Sequence, residues 1–146
     1  MGITKNENGK FLGIDVGTKR TGVSISNTAK TIAFPHKVIP FKGKEELLQE
    51  IEKIISEENI IRIIIGNPLN TRGERSSLTK NTFEIIDYLK KSIELETVMQ
   101  DEKYSTQKAH TDLYSMKMNW KKRKQVVDKV AAAIILQNYL ESYNKE

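Results

Sequence analysis

The stretch "GIDVGTKRTGVSIS", Gly13 to Ser26, decides how the rest of the chain is read. It continues an apolar run in which Phe11, Leu12, Ile14 and Val16 crowd together, the composition of a buried strand. Asp15 stands inside that run, with Gly13 and Gly17 two residues to either side. A carboxylate buried alone is costly, so such a residue is paired, neutralised or bound to a cation. Thr21–Ser26 is again β-like, and Gly17-Thr18-Lys19-Arg20 between the two runs has the residues of a hairpin turn. The chain therefore opens on two antiparallel strands, the first ending in an acid.

Outward from the hairpin, strands and helices alternate. His36–Ile39 reads as a third strand between Pro35 and Pro40. From Lys44 to Glu57, Leu47, Leu48, Ile51, Ile54 and Ile55 recur at helical spacing. "IIRIII", Ile60 to Ile65, is too short for a typical helix; it reads as a strand buried on both faces, interrupted by Arg62 and stopped by Gly66. Residues 66–76 hold turn formers, and a helix is expected from Leu78 to about Ser92, capped by Ser76 or Ser77. "ELETVMQ" is a weaker strand. Ser105 or Thr106 would cap a short helix to about Leu113, and a last helix is expected from near Lys124 to about Tyr143. Hairpin strands followed by strands with crossover helices predict an α/β fold: a mixed sheet with helices on its faces. No repeat or linker divides the 146 residues, so one domain is expected.

Composition narrows the function. At 38% apolar and 29% charged residues the chain fits a soluble globular protein. No run approaches the roughly 18 apolar residues that span a bilayer, and the polar N-terminus lacks a secretory signal. The absence of cysteine excludes disulfides and thiolate metal sites and fits the cytoplasm. Net charge is +5, so the location of the excess decides its meaning.

Three acidic positions are informative: Asp15, the pair Asp101 and Glu102 after the β-like "ETVMQ", and Asp128 on an apolar face of the last helix beside Ala131, Ala132 and Ile135. Singly each has a bland reading. Asp15 could cap its own turn, Asp101 could cap a helix, and Asp128 could pair with Lys124 or another basic neighbour. Converging at one sheet edge, they would form an oxygen-only cluster suited to Mg²⁺ or Mn²⁺, and two such ions can clamp a phosphodiester displacement. "KMNWKKRK", Lys117 to Lys124, holds five basic residues and no acid. It reads as a flexible loop whose Lys121, Lys122, Arg123 and Lys124 touch phosphates and whose Trp120 stacks on a base, or as a solvated surface run. Lys19, Arg20, Arg72 and Arg75 add charge in two other loops. An acidic centre within a basic rim is what a nuclease needs.

"GIDVGTKRTGVSIS", "IIIGNPLNTRGERS", "DEKYST" and "KKRKQVVDKVAAAIILQNYL" resemble, in order, the blocks of the YqgF family of pre-16S rRNA nucleases, also described as Holliday-junction-resolvase-like. The similarity runs from about Phe11 to Leu140. It implies an RNase H-like fold with a five-stranded mixed sheet. It implies a metal-dependent nuclease, using one or two ions, that matures the 5′ end of 16S rRNA in the bacterial cytoplasm. The family's acids fall on Asp15, on Asp101 or Glu102 with Glu102 favoured, and on Asp128. Its Gly-x-Pro-Leu-Asn loop falls on Gly66, Pro68, Leu69 and Asn70. Thr18 and Asn70 are candidates to orient substrate. Lys103 stands where the family usually has Arg, keeping the charge without the bidentate fork; Asn67 stands where an apolar residue is commoner. The expected partner is pre-rRNA or a ribosomal precursor particle, not a membrane, with the protein a monomer or homodimer. His36 and His110 are not required as bases. Alternatives are a junction resolvase on four-way DNA and a non-catalytic RNA-binding factor. A sugar-kinase-like ATPase shares the "DVGTKRTG" pattern, but the chain has room for only one small domain and shows no second phosphate loop.

Overall fold

The computed structural model describes residues 8–68, 80–101 and 120–145, and of residues 120–126 only the backbone. Strands β1 (Lys10–Asp15) and β2 (Arg20–Ser26) form the antiparallel hairpin, with Asp15 opposite Gly22. Strand β3 (Ala33–Pro40) continues antiparallel beside β2. After helix α1 (Lys44–Glu57), strand β4 (Ile60–Asn67) lies parallel to β1 on its free side. After helix α2 (Lys80–Ser92), strand β5 (Thr97–Asp101) lies parallel to β4. Helix α3 (Trp120–Asn144) closes the chain. The sheet order is β3-β2-β1-β4-β5, the mixed five-stranded α/β sheet expected, with helices on both faces.

Strand alternation sorts the core into two layers. Leu12, Ile14, Val23, Ile25, Ile63 and Ile65 face α1 and α2 and pack on Leu47, Ile51, Ile86 and Leu89. Phe11 and Ile64 face the other way, onto Ile135, Leu136 and Leu140 of α3. Ile63, Ile64 and Ile65 are all fully buried, so β4 is apolar on both sides because both sides are covered.

Several boundaries differ from the sequence reading for physical reasons. Strand β3 extends over both prolines because it is an edge strand, where a missing N–H costs no ladder bond. Its register shifts opposite Val23 and Ser24, leaving exposed His36 as the extra residue. Strand β4 runs on through Gly66 to Asn67, held by pairing with β5. Helix α3 starts at Trp120, not near Lys124, so the second half of the basic run is helical and not loop. Lys and Arg are good helix formers, and the apolar turns that follow propagate the helix back through them. The short helix expected to about Leu113 lies outside the described residues.

The far end of α3 is fastened by side chains. Gln137 accepts the Ala33 N–H at 2.8 Å and donates to Thr31 O at 3.0 Å. Asn144 donates to Lys30 O at 2.7 Å. Arg62, the charge that interrupts β4, lies against the Phe11 and Tyr143 rings, 5.1 and 5.7 Å from their centroids. It donates to the Tyr139 hydroxyl at 2.9 Å and pairs with Glu96 at 2.8 Å. Burial opposes its charge, but the Tyr139 hydrogen bond and electrostatic interaction with Tyr139, Glu96 and Tyr143 outweigh burial and raise its pKa.

Candidate active site

The site grows from the places where α3 crosses the hairpin. A Cβ on Gly13 would lie 2.4 Å from Ser24 Oγ, 2.7 Å from Leu136 Cβ and 3.0 Å from Ala132 O. A Cβ on Gly22 would lie 1.9 Å from the carbonyl oxygen of Asp128. Both positions exclude every other residue type as the backbone stands, and fully buried Ala131 and Ala132 keep the helix equally thin. Ser24 Oγ then reaches across and donates to Ala132 O at 2.8 Å. Helix and hairpin meet almost backbone to backbone.

This contact brings the backbones that carry the two acids to one place. Phe11, Gly13 and Asp15 share one face of β1, and Arg20, Gly22, Ser24 and Ser26 share that face of β2. Asp15, half-buried at the last position of β1, is the cross-strand partner of Gly22, and Gly22 lies against Asp128. Residues more than a hundred positions apart thus occupy one face at one edge. It is the edge where parallel β1, β4 and β5 end, the place where open α/β sheets bind ligands.

Arg20 departs from its expected place. Its Nε–H donates to Oδ2 of Asp128 in a partly buried ion pair, the two side chains being 27% and 22% exposed. Asp128 therefore has a basic partner across the sheet in Arg20, while the side chain of Lys124, the partner considered along the helix, lies outside the described residues. Thr18 and Lys19 are exposed on the loop that follows Asp15, and Phe41 N–H donates to Lys19 O at 2.9 Å to hold that loop. Asp101 is exposed and accepts from Asn67 Nδ2 at 3.2 Å. Both lie on the α1 and α2 face, with Ile65 and Met99, away from Asp15.

Glu102, Lys103, Asn70, Arg72 and Arg75 lie outside the described residues, as do the side chains of Trp120, Lys121, Lys122, Arg123 and Lys124. Among the described residues no three acidic, His or Cys side chains gather. Asp15 and Asp128 are hard oxygen donors on one face of the sheet, and Arg20 shows that a positive charge is accommodated against Asp128. The donor chemistry fits a divalent cation. Gly13, Gly22 and Ser24, which set the geometry, were missed in the sequence. Their signal was small residues on one face of the hairpin, matched by "AAA" in α3.

Comparison with known proteins identifies the fold and the family. A relative from Halothermothrix orenii, provisionally named as a pre-16S rRNA nuclease, is 39% identical over 136 residues, 93% of this chain and 97% of its own. The fowlpox virus resolvase in complex with Holliday junction DNA superposes with a TM-score of 0.56 at 11% identity, over 92% of this chain and 98% of its own. RuvC of Thermus thermophilus, also in complex with a Holliday junction, gives 0.51 at 10% identity over 93% and 96%. These structures share the RNase H-like fold. The family model described as "RuvX: Holliday junction resolvase" matches residues 9–142, the span that carries the YqgF blocks, and the chain belongs to that family.

Proposed function

We propose that the chain is a divalent-metal-dependent nuclease, a single catalytic domain that hydrolyses phosphodiester bonds in structured RNA and matures the 5′ end of pre-16S rRNA in the cytoplasm. The observation that carries this reading is the convergence of Asp15 and Asp128 on one face at the carboxyl edge of the sheet, through a contact only Gly22 permits. The names of the relatives supply the substrate class. Asp15 and Asp128 would hold one or two Mg²⁺ or Mn²⁺ ions. Glu102 is the third ligand in this reading, favoured over Asp101 because Asp101 lies on the opposite face. Bound cations would supply the charge that activates water and stabilises the leaving oxygen.

The chain's own residues do the rest. Asp15 and Asp128 supply the anionic ligands, and Thr18 and Lys19 border them from the exposed loop. Asn70, Arg72, Arg75, Lys103, Trp120, Lys121, Lys122, Arg123 and Lys124 are assigned to the nucleic acid. A helix that begins with basic residues favours an anion at its N-terminus, where backbone N–H groups and the macrodipole add to the side chains.

The second reading, cleavage of four-way DNA junctions, is favoured by the junction-bound structures that share the fold. The deciding assay offers the purified protein a pre-16S 5′-leader transcript and a four-way DNA junction, each with Mg²⁺, Mn²⁺ or EDTA. Metal-dependent cleavage of the leader with an intact junction supports the first reading. Cleavage of the junction alone replaces it with the second.

A further inference from the structure

We propose that Arg20 is a resident counter-ion of the metal site: it holds Asp128 while no cation is bound and competes with the cation for that carboxylate. This rests on the reading of Asp15 and Asp128 as metal ligands.

Arg20 opens β2 on the α3 face, two residues before Gly22. Its backbone is anchored, since it pairs with Pro40 and the neighbouring Lys19 carbonyl accepts from Phe41. The Asp128 backbone is anchored too, against Gly22. The ion pair therefore joins two fixed points, on the sheet face that also carries Asp15. Two carboxylates brought to one edge repel each other, and a cation between the strands relieves that repulsion. A divalent cation arriving at Asp128 must displace the guanidinium or tolerate a like charge beside it. Either way Arg20 weakens cation binding while stabilising the cation-free fold. Once displaced, the side chain remains tethered at the site's rim, where a phosphate is the available anion.

Titration of Mn²⁺ into the cation-free protein, followed by water-proton relaxation and calorimetry, tests this. Asp128→Asn comes first: loss of Mn²⁺ binding supports the metal reading, whereas wild-type binding would overturn both that reading and this one. Arg20→Gln is expected to bind Mn²⁺ on the order of tenfold more tightly, because a like charge a few ångströms from the ion is gone. Its cation-free melting temperature is expected to fall. Arg20→Lys, which keeps the charge, is expected to restore an affinity near wild type. If Arg20→Gln binds Mn²⁺ as wild type does, or more weakly, while Asp128→Asn binds none, Arg20 is only structural and the proposal fails. Should Arg20→Gln not fold, the wild-type protein still decides. The Arg20 Nε–H resonance, identified by its loss in Arg20→Lys, is expected to shift and lose exchange protection as Mg²⁺ is added. A resonance unmoved at saturating Mg²⁺ overturns the proposal.

Discussion

Asp15 answers its own anomaly at the scale of one residue. It is the last residue of β1, half-buried, and it faces the edge where Asp128 arrives, so the carboxylate sits where the sheet opens and not in its interior. Asp15→Asn preserves shape and removes a repelling charge, so circular dichroism should match the parent and cation-free melting should be equal or higher. Cleavage should fall to background in the same preparation; full activity there would remove Asp15 from the reaction. Arg62 makes the opposite point. It reads in sequence as a flaw in an apolar strand, yet its contacts to Phe11, Tyr139, Tyr143 and Glu96 bind β4 to the far end of α3. Arg62→Ala should cost about 2 kcal/mol, from the Tyr139 hydrogen bond and the cation–π contacts to Phe11 and Tyr143, read from denaturant unfolding. Activity per folded molecule should be unchanged, because Arg62 lies toward the end of the sheet remote from Asp15.

At the scale of elements, α3 decides whether a site exists. Its middle is apolar on more than one side, so its sequence does not reveal which face meets the sheet; the glycines of the hairpin do. Gly22→Ala places a methyl inside the Asp128 carbonyl, and the helix must lift or the strand must bend. Such overpacking is expected to cost about 3 kcal/mol or more and to weaken Mn²⁺ binding, since the displaced element carries Asp128. Unchanged unfolding and Mn²⁺ titrations would show that the close approach is dispensable. Strand β3 behaves differently: it carries two prolines and exposed Phe34 at the sheet's edge, where neither costs the ladder anything.

At the scale of the whole molecule, charge distribution governs the substrate. The net +5 is modest, and four of its basic residues, Lys121 to Lys124, fall in the first turns of α3, within two turns of Asp128. Replacing all four by Ala should weaken RNA binding across unrelated sequences. It should also flatten the dependence of log K on log salt by up to about 0.7 per lost contact to a single strand. Mn²⁺ affinity should barely change. A wild-type salt slope in the quadruple variant would move the substrate path elsewhere, toward Arg72 and Arg75.

The amino-acid sequence by itself determined the layers of this fold. Apolar residues at period two in β1 and β2, a continuous apolar run in β4 and helical spacing in α1 each report a local geometry, and local geometry is what periodicity encodes. The blocks around Asp15, Glu102 and Asp128 marked the family in the same way. Tertiary structure alone decided the rest. That Asp128 pairs with Arg20 across the sheet, that Asp101 turns to Asn67, and that α3 rests on Gly13 and Gly22 all depend on which distant residues become neighbours. A side chain's partner is set by the three-dimensional meeting of two elements, and no spacing within either element records it.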